Sequence, residues 1–214
     1  MVLAPSKFVA DGIREYHPKK HIALAPYGVD VADWPCRTRQ TSEEMMTFVY
    51  AGQCSVRKGI PLLLRAWQAA GLKQARLQLV GEWRLAEIKK RELPSCCTWT
   101  GPLGKQQLSR LYRRADVLVF PANFEGFGLV VTEALASGLP VLTTQGRAAD
   151  EIIHETSGRT VPPDNLDALV EELRWFAHHR DQLPQMSSAA RLNAERCTWI
   201  QYRSLVTAAV GPLV

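Results

Sequence analysis

Short apolar runs rich in β-branched residues alternate along most of this chain with longer segments of helical periodicity. That alternation is typical of a parallel β-sheet whose strands are joined by crossover helices. Most runs are continuously apolar, which indicates burial on both faces of the sheet. The sequence therefore predicts an α/β fold, a Rossmann-like parallel sheet with helices on both faces. The predicted strands cover residues 47–51, 76–80, 97–100, 117–120, 140–143 and 159–161.

Helices are predicted between these strands and after the last of them. Gly138 followed by Pro140 is a strong stop signal, because glycine caps a helix end and proline cannot continue the helix. After Pro162 and Pro163 the pattern changes to extra C-terminal helices with no further strand. The predicted helices cover residues 60–70, 84–92, 105–114, 128–137, 148–154, 166–178, 183–196 and 198–210.

The start of the chain differs from the rest. It has a short apolar run, a helix capped by Ser6 that reaches about Tyr16, a brief strand over residues 21–26 and a connector rich in proline, glycine and aspartate. This pattern is typical of a lead-in segment. The sequence predicts a lead-in over residues 1–40, a main domain over 41–196 and a C-terminal helix over 197–214.

Composition excludes several classes of protein. Glycine and proline number 14 and 13 among 214 residues, close to ordinary usage, so collagen-like and disordered chains are excluded. No apolar stretch approaches the ~20 residues of a membrane span, and we expect a cytoplasmic protein. The five cysteines form no C-x-x-C pair and are expected to be reduced. A net charge of +5 mildly favours anionic partners but is too small to indicate nucleic-acid binding.

Ligands of open parallel sheets bind at the carboxyl ends of the strands, and several familiar motifs are missing from those loops. The sequence has no G-x-G-x-x-G dinucleotide fingerprint, no Walker-type phosphate loop and no G-x-S-x-G elbow. The histidines lack the spacing of a zinc site, and no D-x-D pair indicates a metal-held diphosphate. The sequence predicts no metal site.

One glycine-punctuated loop remains, between the strand ending at residue 120 and the next helix. Gly126 and Gly128 allow close approach of the backbone to a ligand, and the helix that begins near Gly128 offers unpaired N–H groups to an anion such as a diphosphate. Glu133 inside the helix can accept hydrogen bonds from a ribose diol, and Glu125 at the loop tip can reach an attached sugar. The alternative is that both glutamates are solvated or capping residues.

A second loop, residues 52–59, also follows a predicted strand and carries Arg57 and Lys58. Two adjacent cations on a loop are usually surface charge. If both loops open onto one crevice, however, cations and a helix N-terminus surround one anionic group. Such a site stabilises a departing diphosphate, on which charge accumulates as its bond to the sugar breaks.

The chain from residue 48 to about residue 211 resembles the C-terminal, donor-binding half of a GT-B fold glycosyltransferase, specifically the retaining family 4. The motifs that carry the resemblance occur in family order: G-x-x-S-x-R-K-G at 52–59, L-V-G at 79–81, T-G-P-L at 100–103, L-Y-x-x-A-D-V-x-V-x-P at 111–121, E-G-F-G-L-x-x-x-E-A-L-A-x-G-x-P-V at 125–141 and D-E-I-I at 150–153. Gln53 departs from the family pattern, because many relatives carry arginine there.

The resemblance implies roles for individual residues. Arg57 and Lys58 would hold the diphosphate, Glu133 the ribose, and Glu125 would lie against the donor sugar as the catalytic residue. The turn at Leu103 would lie near the base. The full set of donor-binding residues implied is Gly52, Gln53, Arg57, Lys58, Leu103, Gly126, Phe127, Gly128, Leu129, Val130 and Glu133.

The implied reaction moves a sugar from a nucleoside diphosphate sugar, with UDP or GDP as the nucleotide, to an acceptor hydroxyl of a sugar or glycolipid. It proceeds with retention and requires no metal or other cofactor. Residues 2–16 resemble the last strand and helix of the family's N-terminal domain and residues 22–33 the interdomain linker. Most of that acceptor-binding domain is missing, so the chain alone is expected to be nearly inactive.

Alternative functions are kept open. The chain can be a non-catalytic nucleotide-sugar-binding module, or one subunit of a split transferase that pairs with a partner or a second copy. A flavodoxin-like or receiver-type signalling domain predicts an acidic cluster at the strand ends, and Arg57 and Lys58 argue against it. Arg110, Arg113 and Arg114 can contact an anionic membrane peripherally, although a solvated helix face is the alternative.

Overall fold

The computed structural model of the protein describes residues 1–36, 45–87, 91–153 and 156–211. Its strands are β1 Val2–Ala4, β2 Ile22–Leu24, β3 Met46–Ala51, β4 Ala75–Val80, β5 Cys97–Trp99, β6 Val117–Phe120, β7 Val141–Thr144 and β8 Gly158–Val161. Six of them form one sheet in the order β5-β4-β3-β6-β7-β8, and every pair is parallel. The predicted α/β fold and its six strands are confirmed.

The two central strands are the most apolar elements of the sheet. Every residue of β3 and β6 is buried, as continuous apolar runs predict, whereas β4 alternates buried and more exposed residues. From β3 the chain proceeds outward through β4 to β5, and from β6 it proceeds in the opposite direction to β8. The chain therefore leaves the sheet centre in opposite directions after β3 and β6, which creates a crevice at the carboxyl ends of these strands.

Seven α-helices are found in the described residues, and each predicted helix that flanks the central strands is among them. Right-handed crossovers that run in opposite directions from the sheet centre place the helices after β3 and β6 on opposite faces. On one face α2 packs against α5, and on the other α4 packs against α6. The helices are α1 Lys7–Tyr16, α2 Ile60–Ala70, α3 Lys105–Tyr112, α4 Leu129–Ala136, α5 Leu166–His178, α6 Leu183–Ala194 and α7 Trp199–Val210.

The helix predicted over residues 148–154 is wrong for its described part, which consists of turns up to residue 153. The N–H of Asp150 donates to the carbonyl of Arg147, and its carboxylate accepts from the N–H of Gly146. These local hydrogen bonds replace the backbone hydrogen bonds of a helix. The apolar spacing that predicted a helix comes from the buried residues Ala148, Ala149 and Ile152. The helix predicted over 84–92 includes residues 88–90, which lie outside the described residues.

The lead-in segment packs against the loops of the main domain. Strands β1 and β2 pair in parallel, and the Ser6 side chain caps α1 by accepting from the N–H of Val9. The backbone N–H groups of Lys7 and Phe8 also donate to the two carboxylate oxygens of Glu151, at 2.7 Å each. A carboxylate is favourable at this end of a helix because the helix dipole is positive there.

The connector between β2 and β3 is fixed to the start of the last helix. The N–H of Val29 donates to the carbonyl of Cys197, and a Cβ at Gly28 would lie only 2.1 Å from the backbone nitrogen of Trp199. The five cysteines are all free thiols, as predicted. None of the helices in the described ranges combines the length and apolar character needed to cross a membrane.

Candidate functional site

The loops after β3 and β6 meet at the crevice. The carbonyl of Arg57 accepts from the N–H groups of Asn123 at 3.1 Å and Phe124 at 3.3 Å. At Gly59 the backbone has a φ of +73°, and a Cβ there would lie 1.9 Å from the carbonyl oxygen of Pro121. Only glycine allows this approach, so the two loops can meet as expected only with glycine at position 59.

Lys58 and Glu125, singled out separately from the two loops, face each other. The Lys58 ammonium donates to the Glu125 carboxylate, and the two side chains are only 11% and 19% exposed. The Lys58 nitrogen also lies 5.6 Å from the centre of the Phe120 ring, a favourable cation–π position. The second carboxylate oxygen of Glu125 accepts from the N–H of Gly126 at 2.9 Å. This buried cation is therefore balanced by one carboxylate, whereas the Arg57 side chain is exposed.

The N-terminus of α4 opens beside this pair. Gly128, the N-cap, has a φ of +93°, and its carbonyl accepts the first helical bonds, from Val131 and Thr132. Among the described residues, the N–H groups of Leu129 and Val130 have no acceptor. These unpaired donors, the positive end of the helix dipole and the Lys58 ammonium together create a site for an anion.

Glu133 lies one turn further along α4 in a partly buried position. Burial raises the pKa of its carboxyl group to about 7, although the positive charge of Lys105 opposes this rise. Lys105 forms an ion pair with Asp33 of the connector. The Tyr112 hydroxyl donates to the carbonyl of Val130 at 3.4 Å, and burial, together with the charge of Glu133, raises the pKa of that hydroxyl. Lys105 and Tyr112 were given no role from the sequence, although Tyr112 lies within one of the family motifs.

The other predicted site residues occupy the same edge of the sheet with differing orientations. Gly52 begins the first loop with a φ of +139°. The Gln53 carbonyl accepts from the Tyr50 hydroxyl at 2.8 Å, while the Gln53 amide lies 3.5 Å from the Glu82 carboxylate. The Phe127 ring is buried against Tyr27, with 5.2 Å between ring centres. Phe127 therefore offers only backbone groups to a ligand.

Leu103 follows β5 in the neighbouring loop. The N–H of Gly81 donates to the carbonyl of Gly101 at 2.9 Å, so the loops after β4 and β5 are joined. Lys105, two residues beyond Leu103, interacts electrostatically with Glu133. The structure thus places the Leu103 loop beside the Glu133 end of the crevice, and the Lys58–Glu125 pair at the end nearer β3 and β6.

Comparison with known sequences identifies relatives for most of the chain. Residues 37–193 match the family described as glycosyl transferases group 1. The chain is 31% identical over 156 residues to the sulfoquinovosyl transferase of Arabidopsis thaliana, covering 71% of this chain and 30% of that protein. It is 28% identical over 178 residues to a glycogen synthase of Mycobacterium tuberculosis, covering 79% of this chain and 43% of that protein. The chain therefore spans less than half the length of these curated relatives.

Solved structures share the fold. The sucrose-phosphate synthase of Thermosynechococcus elongatus superposes with a TM-score of 0.85 at 23% identity, covering 99% of this chain and 57% of that one. An Anabaena protein solved in complex with UDP and glucose superposes with a TM-score of 0.82 at 16% identity, covering 99% of this chain and 62% of that one. At these identities the superpositions establish the fold alone.

Proposed function

This chain belongs to the glycosyl transferases group 1 family, and on that premise we propose that it binds a nucleoside diphosphate sugar as the donor in transfer of the sugar to an acceptor hydroxyl. One observation carries the proposal. The Lys58 ammonium and the unpaired N–H groups at the start of α4 converge at the crevice between β3 and β6. Positive groups in that arrangement stabilise the charge that develops on a departing diphosphate.

The proposed roles follow the geometry of the crevice. Lys58, Arg57 and the α4 N-terminus hold the diphosphate, Glu133 accepts from the ribose hydroxyls, and the backbone at Leu103 lies near the base. Glu125 is placed against the donor sugar. Because the Glu125 carboxylate is bonded to Lys58, donor binding must share that ammonium between the carboxylate and a phosphate oxygen.

Three finer features belong to the proposal. UDP is the favoured nucleotide, with GDP as the alternative, because an Anabaena protein of the same fold was solved with UDP and glucose. The cations and helix N-terminus offset the diphosphate charge without a metal, so addition of a chelator should leave nucleotide affinity unchanged. Retention of anomeric configuration is carried over from the family resemblance and is tested by the anomeric proton coupling of the product.

The acceptor site is proposed to lie on a preceding domain. Exposed apolar side chains support this view, because Tyr16 of α1 is 78% exposed and Ile200 of α7 is 72% exposed. Large apolar side chains with this exposure are typical of a surface that a further domain or partner covers. We expect very low turnover by the chain alone.

A thermal-shift panel tests the proposed function. The chain is melted with UDP, GDP and ADP, with UDP-glucose and GDP-mannose, and with glucose 1-phosphate as a control that lacks a nucleoside. Ligand at ~100 times its dissociation constant stabilises the folded state by about 2.7 kcal/mol, which is a measurable rise in Tm. A rise with at least one nucleoside diphosphate and none with glucose 1-phosphate is expected. If no nucleotide raises the Tm, the proposed function is wrong.

Donor affinity should also depend on pH through Glu133. The carboxyl has a pKa of about 7, and its ionised form accepts stronger hydrogen bonds from the ribose hydroxyls than its protonated form does. UDP-glucose, whose phosphates do not titrate near neutrality, should therefore bind about 3- to 10-fold more tightly at about pH 8 than at about pH 6. Titration calorimetry at the two pH values measures this ratio. Glu133→Gln should bind more weakly and show a flat profile.

The same carboxyl group predicts the opposite trend for stability without ligand. Its folded pKa of about 7 lies above the ordinary value of 4.5, so the folded state holds this proton more tightly than the unfolded chain. The Glu133 contribution to stability is therefore full below pH 4.5 and falls as the pH rises to 7. Denaturant titrations of the wild type against Glu133→Gln isolate the effect, and an identical pH dependence in both proteins would contradict it.

A further inference from the structure

A concave groove of about 580 Å³ runs along the sheet beside α3 and reaches the Leu103 loop. One wall is formed by side chains of β4 and β5, and the other by side chains of α3 and the turn after it. The groove residues are Thr47, Arg76, Gln78, Thr98, Thr100, Leu103, Gln107, Arg110, Leu111 and Arg114.

The groove follows from the periodicities of the elements that form it. Arg76 and Gln78 are two residues apart on β4, so they share one face of the sheet. One face of α3 and of the turn after it lines the same groove. Its residues are 107, 110, 111 and 114, which have the spacing of a single helical face. No helix within the described ranges covers this part of β4 and β5, because Arg76 and Thr98 are both exposed.

The charged side chains that the described residues contribute to the groove lining have one sign. Arg76, Arg110 and Arg114 line it, and no aspartate or glutamate of the described residues does so. Asp116 contacts the groove residue Thr47, accepting from its N–H at 2.7 Å, but Asp116 is itself buried.

Two of these arginines, Arg76 and Arg110, are also positioned to receive a ligand. The Nε of Arg76 donates to the Thr47 hydroxyl at 2.8 Å, which fixes the guanidinium along the groove. Arg110 is exposed and forms no ion pair or hydrogen bond with any described residue. The hydroxyl of Thr98 on β5 adds a donor on the same wall as Arg76, across the groove from Arg110.

We propose that this groove is a second anion site, one that binds a phosphate group between Arg76, Arg110 and Arg114. Guanidinium groups match the geometry of phosphate oxygens, and a concave site with several donors favours a compact, multiply charged group. The phosphate can belong to a soluble phosphomonoester or to a lipid headgroup, and the chemistry of recognition is the same for both.

The site is distinct from the proposed donor site. Thr47 and Arg76 lie at the amino ends of β3 and β4, whereas the glycine-rich loops and the α4 N-terminus lie at the carboxyl ends of the strands. The two sites share Leu103, which lines the groove and is also proposed to lie near the base of the donor. The proposal therefore does not depend on donor binding, and the loops around Gly52 and Gly126 serve as an internal reference in the experiment.

The test uses amide NMR spectra of the full chain. Glycerol 3-phosphate is titrated into one sample, and vesicles with about 30 mol% phosphatidylglycerol into another. We expect perturbation of the Thr98 and Thr100 amides by at least one probe. Arg110→Gln should weaken that binding about threefold, and Arg76→Gln with Arg110→Gln about tenfold. The matched control removes two exposed arginines elsewhere, Arg65→Gln with Arg203→Gln.

Each outcome decides the proposal. Response to glycerol 3-phosphate identifies a soluble phosphate ligand, and response only to the anionic vesicles identifies a lipid headgroup. Either response supports the site if the groove variants weaken binding of that probe and the control variant does not. Equal weakening in the groove and control variants would mean that net charge, not the groove, attracts the anion. That result, or no perturbation of the Thr98 and Thr100 amides by either probe, overturns the proposal. Because Arg110 has no ion-pair or hydrogen-bond partner among the described residues, Arg110→Gln should keep the wild-type melting temperature.

Discussion

Replacing Lys58 with methionine should weaken binding of a nucleoside diphosphate by about 10- to 100-fold. A hydrogen bond to a charged group contributes about 1.5–3 kcal/mol, and each 1.4 kcal/mol changes an equilibrium constant tenfold. The Lys58 side chain is only 11% exposed, so water cannot replace the ammonium that is lost. Methionine keeps most of the aliphatic packing against Phe120. Titration calorimetry with UDP measures the affinity, and Lys73→Met, a change at an exposed lysine, is the charge-matched control.

The ion pair requires a second comparison, because Lys58→Met also leaves the Glu125 carboxylate without its cation. Glu125→Gln removes the competing negative charge but keeps the hydrogen-bonding shape. If Lys58 acts on the phosphates, Glu125→Gln should leave UDP affinity unchanged or higher while Lys58→Met lowers it. If both variants weaken UDP equally, the pair serves only to hold the two loops together. Undiminished UDP affinity in Lys58→Met would contradict the phosphate role outright.

Replacing Gly59 with alanine should destabilise the fold by about 3 kcal/mol or more, because a left-handed backbone costs a non-glycine residue about 1–2 kcal/mol and the added Cβ also collides with a neighbouring backbone. That Cβ would lie 1.9 Å from the carbonyl oxygen of Pro121 on the other loop. At about 2–4 °C per kcal/mol, the Tm should fall by roughly 10 °C. Scanning calorimetry measures the change.

Gly71 offers a matched control at the other end of the same helix. Its φ of +62° is close to the +73° of Gly59, but nothing lies within 4 Å of a Cβ built there. Gly71→Ala should therefore destabilise the fold only through its left-handed backbone conformation, by about 1 kcal/mol. Equal losses of Tm in the two variants would show that the approach to Pro121 is not what requires glycine at position 59. Gly59→Ala protein that remains folded should also bind UDP more weakly, because the added Cβ must push the two loops apart.

Parts of the candidate site that depend on local sequence signals were predictable, and parts that depend on contacts between distant segments were not. The glycine loop at residues 125–128 and the helix after it were predictable, because glycine spacing and helical periodicity are local properties. The burial that raises the pKa of Glu133 was not, because it depends on packing between segments distant in the sequence, with Lys105 and Tyr112 of α3 close enough to interact with its charge. The turn over residues 148–153 was mistaken for a helix because buried apolar residues gave a helical spacing without helical hydrogen bonds.

The sequence by itself determined the fold class, the strands and the family, because these depend on periodicity and on motifs whose residues are close together in the chain. The tertiary structure alone decided that Lys58 pairs with Glu125, 67 residues away, and that Arg76 of β4 shares a groove with Arg110 of α3. Those pairings depend on strand order. The packing of the whole sheet determines that β3 lies beside β6, and no single segment of the sequence encodes that arrangement.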